Sequence, residues 1–572
     1  MRVRWSLTEP SVLPANVDRI SLDVFVEGEA DADNSIHTVE NLEDADMNGR
    51  RELIRGGLPT GEPIWMRITG EVGGAAVYVG HVGPIVLRAG ERRYVEPFMF
   101  RIDDSTALPS TMVQGRLLHS ATALPDGRVL IAGGYDSATM ATCPAGEAEG
   151  SRCFTLEASD EALVFDPSEA RFHVVRGGMT EARGGHTGTA LPDGRVLLAG
   201  GASEALLVMI PQGPAAAPTG FAIDLRPRRL DDTQAALATF EIFDPEASPE
   251  EEDVDSDGDP GRGGFVGAAD APAQPGRLDR ARFLATASPV PGTRRVIIAG
   301  GLGDPSSRTT FVVFDADRAG GYGVLDNPAN VLAASRVAAG SIAVGSGASA
   351  AVWMIGGTPA ADDAALAEVW SPSATDPNGA SASAAAAPLM FPQQMTGTPA
   401  SHPEWSLAWP LLAPIDGGTH VLAVGWYGPR CAVGDPMPVF AGVVDPTELC
   451  GVARTRNFTV DVGTGLAVPT STHNPHAFGA SAVLDDGRAL FSGGISTLQW
   501  NATNTIDVFT GEVDASGAAA LSPTPILLEA GRALHSATPL RDGGMLVFGG
   551  VSFGLGVNAL SFPPAEVLYL AR

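Results

Sequence analysis

The chain of 572 residues is long enough for two to four ordinary domains, or for one large repeat structure with a smaller unit attached. Its 67 acidic and 37 basic residues give a formal net charge of -30, and such a field repels phosphate backbones and anionic lipid headgroups, which argues against nucleic-acid partners. The 69 glycines and 44 prolines stand between short Val/Ile/Leu runs, so the composition excludes a mainly helical protein and predicts an all-β chain.

Residues 1–92 form the first predicted unit, because no repeat is found there. Five short apolar segments alternate with Gly, Pro and Asp turns: VRWSL, ISLDVFVEG, EPIWMRITGE, AAVYVGHV and PIVLRAGE. That number of short strands is typical of a small β-sandwich. An extension wrapped on the rest of the molecule is the alternative.

From about residue 104 a hairpin segment recurs along the chain. Three strong copies read GRLLHSATALPDGRVLIAGG (115–134), ARGGHTGTALPDGRVLLAGG (182–201) and GRALHSATPLRDGGMLVFGG (531–550), and three weaker copies end at Gly301, Gly357 and Gly494. A seventh segment, LLAPIDGGTHVLAVGW, has Trp426 where the second glycine is expected. Each copy predicts a strand, a Pro-Asp-Gly turn and a second apolar strand that is covered on both faces.

The order R-x-x-H-[ST], L-P-D-G, apolar-Gly-Gly and then apolar-Asp-Pro resembles the kelch family over residues 104–572. This resemblance implies four-stranded blades around a channel, and seven copies imply a seven-bladed kelch-type β-propeller at residues 93–572 after the β-sandwich at 1–92. The last copy ends at Arg572, just after its third strand. We therefore expect YVEPFMFR at residues 94–101, within a closing segment 93–103, to supply the outer strand of the last blade.

Aligning the copies places one basic residue at the same position, just before the first strand: Arg116, Arg183, Arg282, Arg336, His476 and Arg532. The resemblance places this position near the channel mouth, where guanidinium groups are able to bind carboxylates of a ligand. The alternative is that each group bonds carbonyls or carboxylates of the next blade.

His119, His186 and His535 share a second position. Galactose-oxidase-like copper enzymes are also kelch propellers, but they need tyrosines that this chain does not have beside these histidines, and equivalent residues in separate blades are spread around a ring rather than gathered at one metal.

Two acidic runs match the first half of a calcium loop: Asp253, Asp255 and Asp257 before Gly258, and Asp44, Asp46 and Asn48 before Gly49. Neither has the glutamate expected at loop position twelve. A solvated acidic loop is the simpler interpretation, and weak calcium binding is the alternative.

The strand order also predicts where the insertions lie. The insertions at residues 135–160 and 202–238 follow second strands, so they are predicted to surround the end of the propeller at which the repeated arginines lie. The insertion at 246–264 follows a third strand and is predicted to lie on the opposite side.

Four cysteines form two local pairs, Cys143 with Cys153 and Cys431 with Cys450, without the spacing of a zinc site. Disulfides are favoured over free thiols, which predicts an oxidising, extracytoplasmic location. The second pair is harder to join, because Cys450 follows FAGVVDP, interpreted as the third strand of its blade, whereas Cys431 follows the second.

No run of about 18 apolar residues occurs, and no catalytic motif is recognised. The sequence favours a non-enzymatic extracytoplasmic platform that binds a protein or glycan at the propeller mouth, without a resident cofactor other than weakly bound calcium. A carbohydrate-active or oxidising propeller enzyme and a structural cell-surface component are the alternatives.

Overall fold

The computed structural model describes residues 2–5, 17–26, 36–41, 51–54, 57–91, 94–95, 97–108, 115–175, 177–212, 220–229, 233–247, 263–266, 276–316, 323–325, 330–345, 350–357, 367–371, 385–387, 389, 405–429, 454–496, 501–553 and 560–571. Within these ranges the chain is all-β, with many antiparallel sheets and no α-helix. Three single 3-10 turns occur, at Ser307–Thr309, Asp416–Gly418 and Arg541–Gly543. The architecture is consistent with a β-propeller.

Seven sheets follow one another along the chain, each with its strands in sequence order. Sheet 1 holds Ser120–Ala123, Val129–Ala132, Ala162–Asp166 and Arg171–Val174. Sheet 2 holds Thr187–Ala190, Val196–Ala199, Thr239–Asp244 and Gly264–Val266, with Gly276–Arg277 also on the third strand. Sheet 3 holds Thr286–Pro289, Arg295–Ala299, Phe311–Asp315 and Gly323–Leu325. Sheet 4 holds Gly340–Val344, Ala351–Ile355, Ala367–Trp370 and Ala385–Ala387.

The remaining three sheets of the series come from the C-terminal part. Sheet 5 holds Trp405–Ile415, His420–Pro429, Arg454–Asp461 and Ala467–Thr470. Sheet 6 holds Ala480–Val483, Ala489–Ser492, Thr505–Val513 and Ala519–Leu521, with Ile526–Leu527 also on the third strand. Sheet 7 holds Ser536–Leu540, Gly544–Phe548 and Glu566–Tyr569. Two short pairs lie beside them, Arg282–Phe283 with Leu302–Gly303 and Ile495–Ser496 with Asn501–Ala502.

The second strand of each sheet is buried on both faces, as the apolar runs predict. In Val129–Ala132 of sheet 1, Val129 packs with Phe548 of sheet 7, whereas Leu130 packs with Leu198 of sheet 2. Successive side chains of a strand point to opposite faces, so one apolar strand contributes to two cores. Apolar clusters of this kind lie between every consecutive pair of sheets and between sheets 7 and 1.

The first strands of the seven sheets are neighbours in the same order. The first strand of each sheet contacts that of the next, and the first strand of sheet 7 contacts that of sheet 1. The first strands therefore lie innermost, and the sheets extend outward from them.

An additional four-stranded sheet, the insertion sheet, is built from the two insertions at residues 135–160 and 202–238. Its strands, in spatial order, are Tyr135–Ala141, Arg152–Ala158, Glu204–Gln212 and Gly220–Arg226. The repeat pattern predicts insertions at these residues and no strands within them. Their strand pairing is a finding of the structure.

The N-terminal region forms two further sheets. The larger, the N-terminal sheet, has the spatial order Ile36–Asn41, Arg19–Val26, Pro63–Val72, Ala75–Val86 and Phe100–Arg101. The smaller holds Arg51–Ile54, Arg2–Trp5 and Tyr94–Val95. Segments AAVYVGHV and PIVLRAGE, interpreted as two strands, contribute to the single strand Ala75–Val86.

The prediction that residues 94–101 supply the outer strand of the last blade is wrong. Tyr94–Val95 pairs with the strand Arg2–Trp5, and Phe100–Arg101 pairs with Ala75–Val86. The segment beside the third strand of sheet 7 begins a few residues later. The Asp103 amide donates to the carbonyl of Tyr569 at 2.7 Å, and the Leu108 amide donates to that of Ala565 at 2.8 Å, which places the strand Asp104–Ala107 there.

Sheet 5 also corrects a strand assignment. Its third strand is Arg454–Asp461, which pairs with His420–Pro429. FAGVVDP at residues 440–446, interpreted from the sequence as the third strand, lies outside the described residues. Cys431 and Cys450 themselves lie outside the described residues. Both now fall between the second and third strands, in one connection.

Candidate functional site

The six basic residues of the repeat are buried and bonded within their own repeats. Each donates to the carbonyl of the first glycine of its own Gly-Gly pair: Arg116 to Gly133 (3.3 Å), Arg183 to Gly200 (2.8 Å), Arg282 to Gly300 (2.8 Å), Arg336 to Gly356 (2.6 Å), His476 to Gly493 (2.7 Å) and Arg532 to Gly549 (3.3 Å). All six are at most 1% exposed. Ligand contact through these residues stays a prediction, and a ligand carboxylate would have to displace partners that already occupy them.

In five of the six repeats, the basic residue pairs with an acidic residue on or beside the third strand of the same repeat, rather than with a carboxylate of the next blade. The pairs are Arg116–Glu161, Arg183–Glu241, Arg336–Glu368, His476–Asp507 and Arg532–Glu566. Arg282 instead pairs with Asp279, at 3.0 Å. A signal for this pairing is present in the sequence, because Glu161, Glu241, Glu368, Asp507 and Glu566 each stand at or near the start of an apolar segment that follows a copy of the repeat.

The backbone at the same position joins neighbouring sheets. The second glycine of a repeat donates its amide to the carbonyl of the basic residue in the following repeat: Gly134 to Arg183, Gly201 to Arg282, Gly301 to Arg336, Gly494 to Arg532 and Gly550 to Arg116, at 2.7–2.9 Å. The first glycine is equally constrained, since a Cβ on Gly200 would lie 2.2 Å from the carbonyl oxygen of Arg282. The side chain of each of these basic residues therefore bonds its own repeat, and its backbone carbonyl bonds the preceding one, so that one residue connects two consecutive sheets.

In each of the six repeats, the residue two positions after the basic residue has a positive φ, and we call these residues the circle. It contains Leu118, Gly185, Leu284, Ala338, Phe478 and Leu534, and Trp409 has the same backbone conformation in sheet 5. Hydrogen bonds pass from one member to the next, from Gly185 to Leu118 and from Leu284 to Gly185, and Leu118 donates to Leu534 at 3.4 Å. Non-glycine residues seldom adopt this conformation, so its repetition shows that the surrounding sheets impose it.

The three repeat histidines also connect sheets. Nε2 of His119 lies 2.7 Å from Ser536 Oγ of sheet 7, His186 Nε2 lies 2.9 Å from Ser120 Oγ of sheet 1, and His535 Nε2 lies 2.9 Å from Ser492 Oγ of sheet 6. Burial lowers the pKa of His119 to about 3, with the nearby Arg116 charge acting in the same direction. Burial likewise lowers the pKa of His186 and His535 well below the ordinary value, so all three are neutral near pH 7.

The insertion sheet covers this arginine end, as the strand order predicts. Phe154, Leu156 and Leu207 of the insertion sheet share one apolar cluster with Leu118 and Phe478 of the circle. Tyr135 is fully buried, and its hydroxyl donates to the carbonyl of Ala202 at 3.2 Å. The insertion sheet therefore packs on the circle of positive-φ residues.

A cavity of about 230 Å³ remains between the innermost strands. It is lined by the residues of the circle except Phe478, among them Leu118 and Leu284, by Trp409 and by the three repeat histidines. Each of those histidines already bonds a serine hydroxyl across a sheet interface.

The predicted disulfide between Cys143 and Cys153 is confirmed, with a Cα–Cα distance of 5.2 Å. It closes the loop that connects the strands Tyr135–Ala141 and Arg152–Ala158, and Cys153 packs on Leu206 and Val208 of the third insertion strand. The disulfide therefore constrains the sheet that packs on the circle.

The two candidate calcium runs, at Asp253 to Asp257 and at Asp44 to Asn48, lie outside the described residues and stay predictions. Among the residues with described positions, no three His, Cys, Asp or Glu side chains are close enough together to hold a metal ion. Nothing helical in the described part of the chain has the length and apolar character needed to cross a membrane.

Comparison with known proteins gives no family assignment. No family model matches the sequence, and no curated protein matches it. Among solved structures, one described as "Structure of YjhT" aligns with 67% of this chain and 94% of its own, at 11% identity and a TM-score of 0.35.

Proposed function

We propose that the chain is a seven-bladed kelch-type propeller that begins at about residue 102, preceded by a small sandwich-like β-domain. This domain extends beyond residue 92, because Tyr94–Val95 and Phe100–Arg101 pair with N-terminal strands. The chain acts outside the cytoplasm as a non-enzymatic binding protein for a protein or glycan. Support for the seven blades comes from the seven consecutive sheets and from the return contact between the first strands of sheets 7 and 1. The Cys143–Cys153 bond supports the oxidising location.

The insertion sheet is the observation that carries the binding function. The repeated arginines and histidines bond the sheets to each other, so their repetition has a structural cause. The insertion sheet belongs to no repeat, covers the mouth and is constrained by a disulfide. In repeat scaffolds, binding residues concentrate in such non-repeated connections on a rigid frame.

A ligand screen with matched variants tests this proposal. The full chain is assayed against a glycan array and an extracellular protein fraction. The variant carries Met140→Asp and Glu157→Arg on the insertion sheet, and the control carries Leu527→Asp and Glu512→Arg on sheet 6. Met140 and Leu527 are 56% and 54% exposed, so the two sets impose similar changes.

We expect a specific ligand whose binding falls at least about tenfold in the insertion-sheet variant and is unchanged in the control, a loss typical of a central interface residue. A ligand bound equally by both variants contradicts the proposal. A stoichiometric transition metal together with turnover of a sugar or alcohol would instead establish the rival function, an oxidising propeller enzyme.

A further inference from the structure

The insertion sheet ends in an edge strand, Tyr135–Ala141. On the outer side of this strand Tyr135 bridges Leu117, whereas residues 137–141 pair with no other described strand there. An edge strand presents a row of backbone amides and carbonyls to which another extended chain can hydrogen-bond. Five residues after the register irregularity, Ser137 to Ala141, span about 17 Å at roughly 3.4 Å per residue.

This edge does not have the features that normally block strand pairing. Charged side chains and prolines protect exposed edges, but residues 137–141 read SATMA. Thr139 is exposed, and Met140 is 56% exposed. The strand is also held in position, because Ala141 pairs with Cys153 of the disulfide. A preformed edge reduces the entropy lost when a partner binds.

The surrounding charge defines the partner. Residues 135–161 contain six acidic residues and one arginine. Glu147 and Glu161 pair with Arg226 and Arg116, whereas Glu157 and Asp160 are exposed. The whole chain carries a formal charge of -30, which opposes pairing between two copies. A positively charged extended segment meets complementary charge at this edge.

We propose that the edge strand at residues 137–141 binds an extended, lysine- or arginine-rich segment of a partner protein by strand addition. The partner segment extends the insertion sheet by one strand, with its backbone on the edge and its basic side chains toward Glu157 and Asp160. This inference rests on the proposed binding function and names its site and ligand chemistry.

Direct binding of synthetic peptides tests whether the partner binds by strand addition. The probes are fluorescent nine-residue peptides of alternating Lys and Val, the same peptide N-methylated at alternate residues, and a version with Glu in place of Lys. We expect the first to bind at least about tenfold more tightly than the other two, because one lacks the backbone donors of a strand and the other is repelled. Equal binding of the N-methylated peptide overturns strand addition.

Matched variants locate the site. Met140→Lys should weaken binding of the Lys/Val peptide at least about tenfold, whereas Leu527→Lys, at a similarly exposed position, should leave it unchanged. If Met140→Lys alters the thermal unfolding midpoint, Thr139→Lys replaces it. A second pair, Ala138→Pro and Thr139→Pro, removes backbone amides that point to opposite sides of the strand. The proline variant that keeps the wild-type midpoint should abolish binding.

The composition allows a selective crosslinking assay. The chain has no lysine, so carbodiimide coupling joins its carboxylates to peptide lysines and, within the protein, only to the α-amino group. We expect amide links at Glu157, Asp160 or Asp136. Links only at other carboxylates would show that the proposed site is wrong. A crosslinked dimer of the protein that disappears in Met140→Lys would also contradict the proposal, because the edge strand would then bind a second copy of the chain.

Different results would contradict the proposed binding function and the proposed strand addition. If no peptide binds but a ligand from the screen still depends on Met140 and Glu157, strand addition is wrong and the binding function stands. If neither a peptide nor a screened ligand depends on the insertion sheet, both are wrong.

Discussion

At the scale of single residues, buried charge pairs bond the strands within a sheet. Arg336 and Glu368 are both fully buried, 2.8 Å apart, and Glu368 also accepts from the amides of Ala333 and Ala334. Two desolvated charges stabilise little as a pair, but removal of one leaves the other uncompensated. Removal of one partner should therefore lower the free energy of unfolding by more than an exposed ion pair contributes to it.

We expect Glu368→Ala to lower the free energy of unfolding by about 3–5 kcal/mol, because Arg336 would remain buried without its carboxylate. Glu161→Ala is the control. Its side chain is 41% exposed, and Arg116 keeps its hydrogen bonds to the carbonyls of Gly133 and residue 161, so we expect a smaller loss, about 1 kcal/mol. Urea unfolding of both variants measures the difference, and equal losses would show that burial does not determine the effect.

The buried histidines make stability depend on pH. Their folded pKa values lie below the unfolded value, with His119 at about 3, so the unfolded state binds protons first as pH falls. Stability is therefore fully present above about pH 6.5 and is lost progressively toward pH 3, by up to about 1.4 kcal/mol per pH unit per histidine. Thermal unfolding midpoints should fall between pH 6.5 and 4.5, and His119→Gln should flatten that slope. An unchanged slope in the variant contradicts the assignment.

At the scale of strands and turns, the Gly-Gly pair determines how closely consecutive sheets approach. Gly200 has φ +69°, and an added Cβ would lie 2.2 Å from the Arg282 carbonyl, whereas Gly487 has φ +85° with open space around it. Gly487→Ala should cost about 1 kcal/mol for the backbone conformation alone. Gly200→Ala adds a clash with the backbone carbonyl of Arg282, so it should lower stability by clearly more than Gly487→Ala does. Chemical unfolding compares them, and equal losses would mean that the sheets separate to make room.

The second disulfide pair belongs to one connection of sheet 5. With Arg454–Asp461 as the third strand, Cys431 and Cys450 no longer lie at opposite ends of a strand. We therefore expect them to be bonded, and closing a loop of about 20 residues contributes roughly 3 kcal/mol. Peptide mapping under non-reducing conditions should find this bond beside Cys143–Cys153. A free thiol at either position contradicts it and weakens the case for an oxidising location.

The sequence predicts elements well where a local pattern determines them. The apolar run VLIA before a Gly-Gly pair becomes the buried strand Val129–Ala132, because two-sided burial requires apolar side chains at every position. The insertion sheet was missed because its pairing, for example Leu156 with Ala205, joins segments about 50 residues apart without a repeat. The Arg336–Glu368 pairing was missed because an acidic residue in a strand does not by itself name its partner.

At the scale of the whole molecule, the N-terminal sheet packs at the junction between sheets 7 and 1. Phe100 and Val79 share an apolar cluster with Phe165 of sheet 1 and with Tyr569 of sheet 7. Arg541 of sheet 7 lies 4.1 Å from the ring centre of Trp65. In this series of sheets, the junction between the last and the first has no short chain connection. Noncovalent packing of the N-terminal residues stabilises it instead.

We therefore expect Phe100→Ala to act mainly at this junction. Phe100 is fully buried, so its truncation should lower stability by about 3–5 kcal/mol. Hydrogen exchange should accelerate in Val129–Ala132 and Gly544–Phe548, which border the junction, and much less in Ala351–Ile355 of sheet 4, because local opening precedes global unfolding where the packing was removed. Leu22→Ala, a buried truncation within the N-terminal sheet, is the control for a general loss of stability. If Phe100→Ala accelerates exchange equally in all sheets, the N-terminal sheet contributes to overall stability without a special role in holding sheets 7 and 1 together.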